Sequence, residues 1–223
     1  MPEERVLIMT SVEAEAAAVR RGLKQGHRFE VVLSGVGPAL AAARTAAALA
    51  RAEACAKPVS LVISAGIGGG FAGAAGVGSL AVASEIVCAD LGAESPEGFL
   101  SLDELGFGTA HMPADRERSL RLAARLAEAG LTASFGPVIT VSTVTGTAKT
   151  AAQRAGRVPG AAAEGMEGYG VAVAAAEFGL PAMEIRAISN PVGPRDRSAW
   201  RIQEALDVLE KASAILPEVL FEK

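Results

Sequence analysis

The sequence predicts an α/β fold in which the whole chain, residues 1–223, forms one domain with a central mixed sheet flanked by helices. Three observations point there. Apolar runs of strand length alternate with Ala-rich stretches of helix length, the pattern of strands joined by crossover helices. Half of the residues are hydrophobic and only 4% are aromatic, so the core is built from Ala, Val, Leu and Ile, which suit closely packed helix-on-sheet layers. No Pro/Ser-rich linker or break in composition divides the 223 residues, and that length suits one sizeable core.

Residues 5–10 (RVLIMT) read as the first strand, and Ser11 offers an N-cap to a helix over 13–23. Glu13 and Glu15 fall in its first turn, where the helix dipole favours negative charge. The same place, at the C-terminal end of a strand, also lets one of them project into a crevice. Residues 29–34 form the second strand, and Gly35-Val36-Gly37-Pro38 turns it into a helix reaching Ala54. Pro38 fits the first helical position, where its missing N–H costs nothing.

Residues 59–64 are almost wholly apolar, as in a central strand, and run into a glycine cluster over 65–70. Gly68, Gly70 and Gly73 satisfy G-x-G-x-x-G, but a dinucleotide site needs a helix next and 79–88 reads as a strand. The glycines, Gly68 and Gly69 among them, instead predict a tight turn or a close approach of backbone to ligand. Residues 89–113 look irregular and mix acidic with apolar side chains, a length that marks a lid, a binding loop or an interface segment. A helix over 114–129, a strand over 134–142 and the turn Thr143-Val144-Thr145-Gly146-Thr147 follow. A short strand over 161–164, a helix over 169–178, a strand over 181–188 and a helix over 198–216 complete the chain.

The net charge of −4 and the pI near 5.4 leave no basic footprint for nucleic acid. Mean hydropathy is +0.33, yet Arg or Glu interrupts every Ala-rich run before the roughly 18 apolar residues of a membrane span. Residues 1–5 are acidic and the apolar run after them is short, so no secretory signal is expected. Cys55 and Cys88, in apolar or small-residue surroundings, fit buried reduced thiols of a cytoplasmic protein, and His27 and His111 lack metal-ligand spacing. Neither a metal nor another cofactor is expected.

Between 164 and 197 lie two polar clusters, Glu164-Gly165-Met166-Glu167-Gly168 and Arg186-Ala187-Ile188-Ser189-Asn190, separated by an Ala/Val-rich helix. A strand end, a helix and the next strand end bring both clusters to one crevice. On the residues alone, Glu167 is either a ligand-binding carboxylate or a helix N-terminal charge.

Taken with Ser34-Gly35-Val36-Gly37-Pro38 and the glycine-rich end over 65–70, these clusters resemble, in order and over most of the chain, the purine nucleoside phosphorylase and nucleosidase superfamily, and its hydrolase branch in particular. The run from Ser189 to Arg197, with Trp200, is similar to members whose nucleoside carries a carboxyphenyl ketone at its 5′ end. The resemblance implies hydrolysis of a purine N-glycosidic bond: the site holds an oxocarbenium-like ribose, aims water at C1′ and accepts the departing base.

The resemblance further implies that Glu167, beside Met166, binds the ribose hydroxyls, that Glu15 positions and deprotonates water, and that Arg186 supports the water site. Gly68 and Gly69 would line the site and Val144, Thr145 and Gly146 would lie beside the base, although the family's stacking aromatic is absent from that loop. Adenine-specific relatives carry Asp where this chain has Asn190. Asn offers an NH2 donor to a 6-oxo group and a carbonyl to an N7 proton, so a 6-oxopurine is favoured over adenine. Arg195 and Arg197 are candidates to pair with a 5′ carboxylate, with exposed surface charge as the alternative.

From Pro58 to Asp115 the chain has no Lys or Arg, so a phosphate dianion would be poorly held there and water is the expected nucleophile. Residues 89–107 resemble the segment that relatives lend to a partner's 5′ pocket, implying a homodimer or larger assembly. Two other readings stand beside this one. Asn190 argues against a methylthioadenosine/adenosylhomocysteine nucleosidase, and Glu15 with Glu167 argues against a catalytically silent nucleoside-binding protein.

Overall fold

The protein is seen in a computed structural model that describes residues 4–24 and 27–221; the reading of residues 1–5 as no secretory signal lies partly outside them. Among the described residues the chain runs β1 (Val6–Thr10), α1 (Glu13–Leu23), β2 (Phe29–Leu33), α2 (Pro38–Ala54), β3 (Leu61–Gly70) and β4 (Leu80–Cys88). It continues through β5 (Gly92–Ser95), β6 (Gly98–Ser101), β7 (His111–Pro113), α3 (Arg116–Glu128), β8 (Ala133–Thr140) and α4 (Ala148–Arg157). It ends with β9 (Ala163–Gly165), α5 (Gly168–Glu177), β10 (Ala182–Pro191) and α6 (Ile202–Phe221).

The sheet is mixed and curls on itself. β2, β1, β3 and β10 are parallel neighbours, β10 pairs antiparallel with β4, β4 runs parallel to β8 and β8 to β9, and β9 returns antiparallel to the end of β3. A closed circuit β3–β10–β4–β8–β9 results, with β1 and β2 extending from it.

Strand alternation divides the core between the two faces. On one side Val6, Ile8, Leu61, Ile63 and Met183 pack against α1, α3 and α6. On the other, Leu7, Met9, Val62, Ala182 and Ile188 pack against α2 and α5. Small residues set this second layer's thickness: a Cβ on Gly170 would stand 2.1 Å from the Pro38 carbonyl oxygen. That close approach brings the start of α5 beside the start of α2.

The structure corrects the sequence reading at several points. The helix cap at α1 is Val12, not Ser11, and the Glu15 carboxylate rather than a cap side chain covers the free N–H groups of Ser11 and Val12. The glycine cluster is not a turn: β3 runs on through Gly70, paired with β10 and β9. Residues 89–113 are not irregular throughout, because they fold as the β5–β6 hairpin and β7. α6 begins four residues later than expected, after a short 3-10 turn at Arg197–Ala199. Residues 148–160, to which the sequence reading assigns no element, contain α4. Of the two thiols expected to be buried, Cys88 is buried, but Cys55 is exposed because it caps the C-terminal end of α2.

Candidate active site

The C-terminal ends of β1, β3, β9 and β10 and the loop after β8 surround a cavity of about 260 Å³. Glu15 reaches it from the first turn of α1, Met166 and Glu167 from the β9–α5 junction, and Asn190 from the end of β10. Gly68 and Gly69 form part of its floor and Val144 and Thr145 one wall. Arg195 and Trp200 also line it. Gly146 and Arg197 do not line it; the Arg197 guanidinium lies 6.0 Å from the Trp200 ring. Arg186 sits behind the wall, fully buried. Trp200 supplies an aromatic face from the β10–α6 segment, where the loop over 143–147 has none.

Glu15 is 2% exposed and both of its oxygens accept hydrogen bonds, Oε1 from a single donor. Oε2 accepts from Ser11 N–H at 2.9 Å, Ser11 Oγ at 2.5 Å and Val12 N–H at 3.2 Å, and Oε1 accepts from Ile67 N–H at 2.9 Å. Four donors on one carboxylate fix its position at the mouth of β3. The strand is bare beneath it: a Cβ on Gly66 would meet Glu15 Oε1 at 2.6 Å and Arg186 Nη1 at 2.9 Å. The glycines thus permit a close approach, of side chains from neighbouring elements onto the strand.

Glu167 accepts from Gly37 N–H and Met166 N–H, each at 3.3 Å, and from Arg186 Nη1 at 3.1 Å. It therefore joins the turn before α2 to β10. Arg186 also donates from Nε to Glu184 Oε1 at 2.8 Å and from Nη2 to Ser64 Oγ at 3.1 Å. Burial disfavours its charge, but the carboxylates of Glu184, Glu167 and Glu15 more than reverse that and hold its pKa above the ordinary arginine value.

Asn190 is positioned by an irregularity. The pairing of β10 with β3 shifts by one residue between Ile188 and Asn190, so Asn190 lies opposite Gly69 instead of Gly70. Its Oδ1 accepts from Ser189 Oγ at 2.8 Å and its Nδ2 donates to the Pro191 carbonyl at 3.0 Å.

Sequence reasoning named Glu164 without a role and missed Arg154. Glu164 is 5% exposed, on the pocket wall, and accepts from Thr145 N–H at 2.8 Å, Thr145 Oγ1 at 2.5 Å and Arg154 Nη1 at 2.8 Å. Arg154 also donates to the Thr143 carbonyl at 2.6 Å. It is the buried residue of α4, so this network ties the loop over 143–147 to β9 and docks the helix at once. The available clue was an Arg amid the alanines of a helix-length run, Ala148-Lys149-Thr150-Ala151-Ala152-Gln153-Arg154.

Residues 6–222 match the family model described as the phosphorylase superfamily. The chain belongs to this superfamily. Curated superfamily members similar to it include the futalosine hydrolase of Streptomyces coelicolor, 50% identical over 96% of this chain and 96% of that protein. The futalosine hydrolase of Acidothermus cellulolyticus is 47% identical over 94% of this chain and 89% of that protein. Among solved structures, the 5′-methylthioadenosine/S-adenosylhomocysteine nucleosidase of Neisseria meningitidis, in complex with methylthio-immucillin-A, superposes with a TM-score of 0.77 at 19% identity, covering 98% of this chain and 99% of that one. That likeness carries the superfamily fold.

Among the described residues no helix is long and apolar enough to cross a membrane, and no cluster of His, Cys, Asp and Glu could hold a metal ion.

Proposed function

We propose that the chain hydrolyses the N-glycosidic bond of a 6-oxopurine nucleoside, futalosine being the preferred substrate, to give hypoxanthine and dehypoxanthine futalosine for menaquinone formation. The observation that carries this reading is the opening of Glu15, Glu167 and Asn190, from the two ends of the chain and three different elements, onto one cavity. The high identity to two curated futalosine hydrolases over nearly the whole chain supports the substrate.

Each group suits one task. Glu167 accepts hydrogen bonds from the ribose hydroxyls and favours the cationic sugar of the transition state. Glu15, held by four donors, orients a water toward C1′ and takes its proton. Arg186 braces Glu167 from behind and keeps the carboxylates from repelling one another. Asn190 donates from Nδ2 to O6 and at Oδ1 accepts a hydrogen bond from the N7–H of the departing base, a pairing that adenine with its exocyclic amine does not satisfy. Trp200 stacks on an aromatic group and Arg195 pairs with the 5′ carboxylate; Arg195 is the cationic side chain on the pocket lining among the described residues. The scarcity of cations there favours water over phosphate as nucleophile.

The chain works in the cytoplasm as a homodimer or larger homo-oligomer. Leu91, Leu100 and Phe107 support a subunit contact over 89–113, the last being 80% exposed.

Incubation with futalosine, inosine and methylthioadenosine in phosphate-free buffer, followed by chromatography of the released base, tests the reading. Hypoxanthine from futalosine is expected. Preferential release of adenine from methylthioadenosine overturns the substrate, and ribose 1-phosphate formed only when phosphate is added overturns hydrolysis.

A further inference from the structure

We infer that Glu184 is a positioning residue for the reaction: it fixes the Arg186 guanidinium so that Arg186 braces Glu167. The inference rests on the sugar-binding role given to Glu167 above. On β10, Met183, Ile185 and Ala187 face one core layer while Ala182 and Ile188 face the other. Glu184 and Arg186 share the second face, 0% and 2% exposed, where apolar side chains would be the default.

Glu184 Oε1 accepts from Arg186 Nε at 2.8 Å. With Nε held, the planar guanidinium presents Nη1 to Glu167 at 3.1 Å and Nη2 to Ser64 Oγ at 3.1 Å. Among the described residues no group donates a hydrogen bond to the other Glu184 oxygen, Oε2, which is buried. Burying a carboxyl with one oxygen unsatisfied works against stability, so its presence calls for a task other than holding the fold.

The surroundings are shaped to admit it. A Cβ on Gly168, the first residue of α5, would lie 2.0 Å from Glu184 Oε2. The residue that follows Glu167 is thereby kept small to seat the group that orients the brace of Glu167. Burial raises the Glu184 pKa, against the opposing pull of Arg186. Arg186 does not need Glu184 to balance its charge, because the carboxylates of Glu167 and Glu15 also face it. Removing Glu184 therefore frees the orientation of Arg186 without stranding a buried cation.

The test compares Glu184→Leu and Glu184→Gln in the full chain, each also combined with Arg186→Lys, by steady-state hydrolysis of futalosine, thermal melting and a crystal structure of Glu184→Gln and Glu184→Leu. The Leu variant should melt near the unmodified protein and lose about tenfold or more in kcat/KM, and Gln, which keeps an acceptor for Nε, should recover to within about threefold. In the Arg186→Lys background, either Glu184 substitution should change kcat/KM by less than about twofold, because Glu184 acts through Arg186.

Unchanged kinetics in Glu184→Leu, or losses that multiply independently in the double variants, overturn the inference. If the Leu variant does not fold, the Gln variant and its Arg186→Lys combination decide by the same additivity criterion. A crystal structure of Glu184→Leu in which Arg186 keeps its contacts with Glu167 and Ser64 also overturns it. A wrong assignment of substrate is recognised separately, since the unmodified protein then releases no base from futalosine. In that case the variants are measured on whichever of inosine and methylthioadenosine it cleaves, and with neither cleaved the crystal structures decide alone.

Discussion

Replacing Glu15 by Gln keeps the outline of the side chain and removes its charge, so the consequences can be worked out atom by atom. The amide oxygen takes the place of Oε2, where Ser11 N–H, Ser11 Oγ and Val12 N–H all point. The NH2 group must then face Ile67 N–H, which donated to Oε1 at 2.9 Å, and two donors meet. A buried donor left without an acceptor costs roughly 1–3 kcal/mol, and hydrogen bonds to a neutral oxygen are weaker than to a carboxylate. A total of about 3 kcal/mol lowers the melting temperature on the order of 10 °C, at roughly 2–4 °C per kcal/mol for a chain of this size. Loss of the base should lower kcat by about 10²–10⁴. Differential scanning fluorimetry and steady-state release of hypoxanthine measure the two effects. A melting temperature within about 2 °C of the unmodified protein refutes the hydrogen-bond argument, and turnover within about threefold refutes the role of base.

Arg154→Ala leaves Glu164 buried without its cation, and breaking such a pair typically costs about 3–5 kcal/mol. Thermal melting should show that loss, and KM should rise more than kcat falls because the loop over 143–147 loses its anchor; an unchanged KM in a folded variant refutes the anchoring role. Cys55 is exposed, while burial and the Asp90 charge push the Cys88 thiol up to about 11. Labelling with a chromogenic disulfide at pH 8 should therefore modify one thiol per chain rapidly and the second only in denaturant or as pH approaches 11. Two equally fast thiols at pH 8 would refute that placement of Cys88.

The layered α/β fold was legible because strand and helix periods are local properties. Pro38 and the apolar β1 announce their elements within a few residues. α4 was not legible for the opposite reason: its buried residue is Arg154, and an ion pair leaves no apolar stripe to read. Glu15, Glu167 and Asn190 could be singled out because each lies at a strand end or in the first helical turn after one, where the superfamily resemblance assigns a task, and the structure brings all three to the cavity. Arg186 shows the limit of that approach. Its sequence neighbours place it at the site, but only the packing reveals that it lies behind Glu167 with Glu184 at its back. Gly146 and Arg197 were included with neighbours that do line the cavity and lie off it themselves. The β5–β6 hairpin was missed because its four-residue strands are shorter than the pattern needed to recognise them.

The one-residue slip in β10 has a consequence for how this segment can vary. Up to Ile188 the strand keeps step with β3, so Arg186 and Gly66 share a side of the sheet; after the slip Asn190 shares the other side with Gly69. A single strand thus serves two walls, and a nucleoside touching both must straddle the sheet's end. Inserting or deleting one residue between 188 and 190 would swap Asn190 to the side of Arg186 while leaving every side chain chemically intact. In this part of the chain the count of residues is therefore a stricter requirement than their identity, and length variants should be rarer than substitutions.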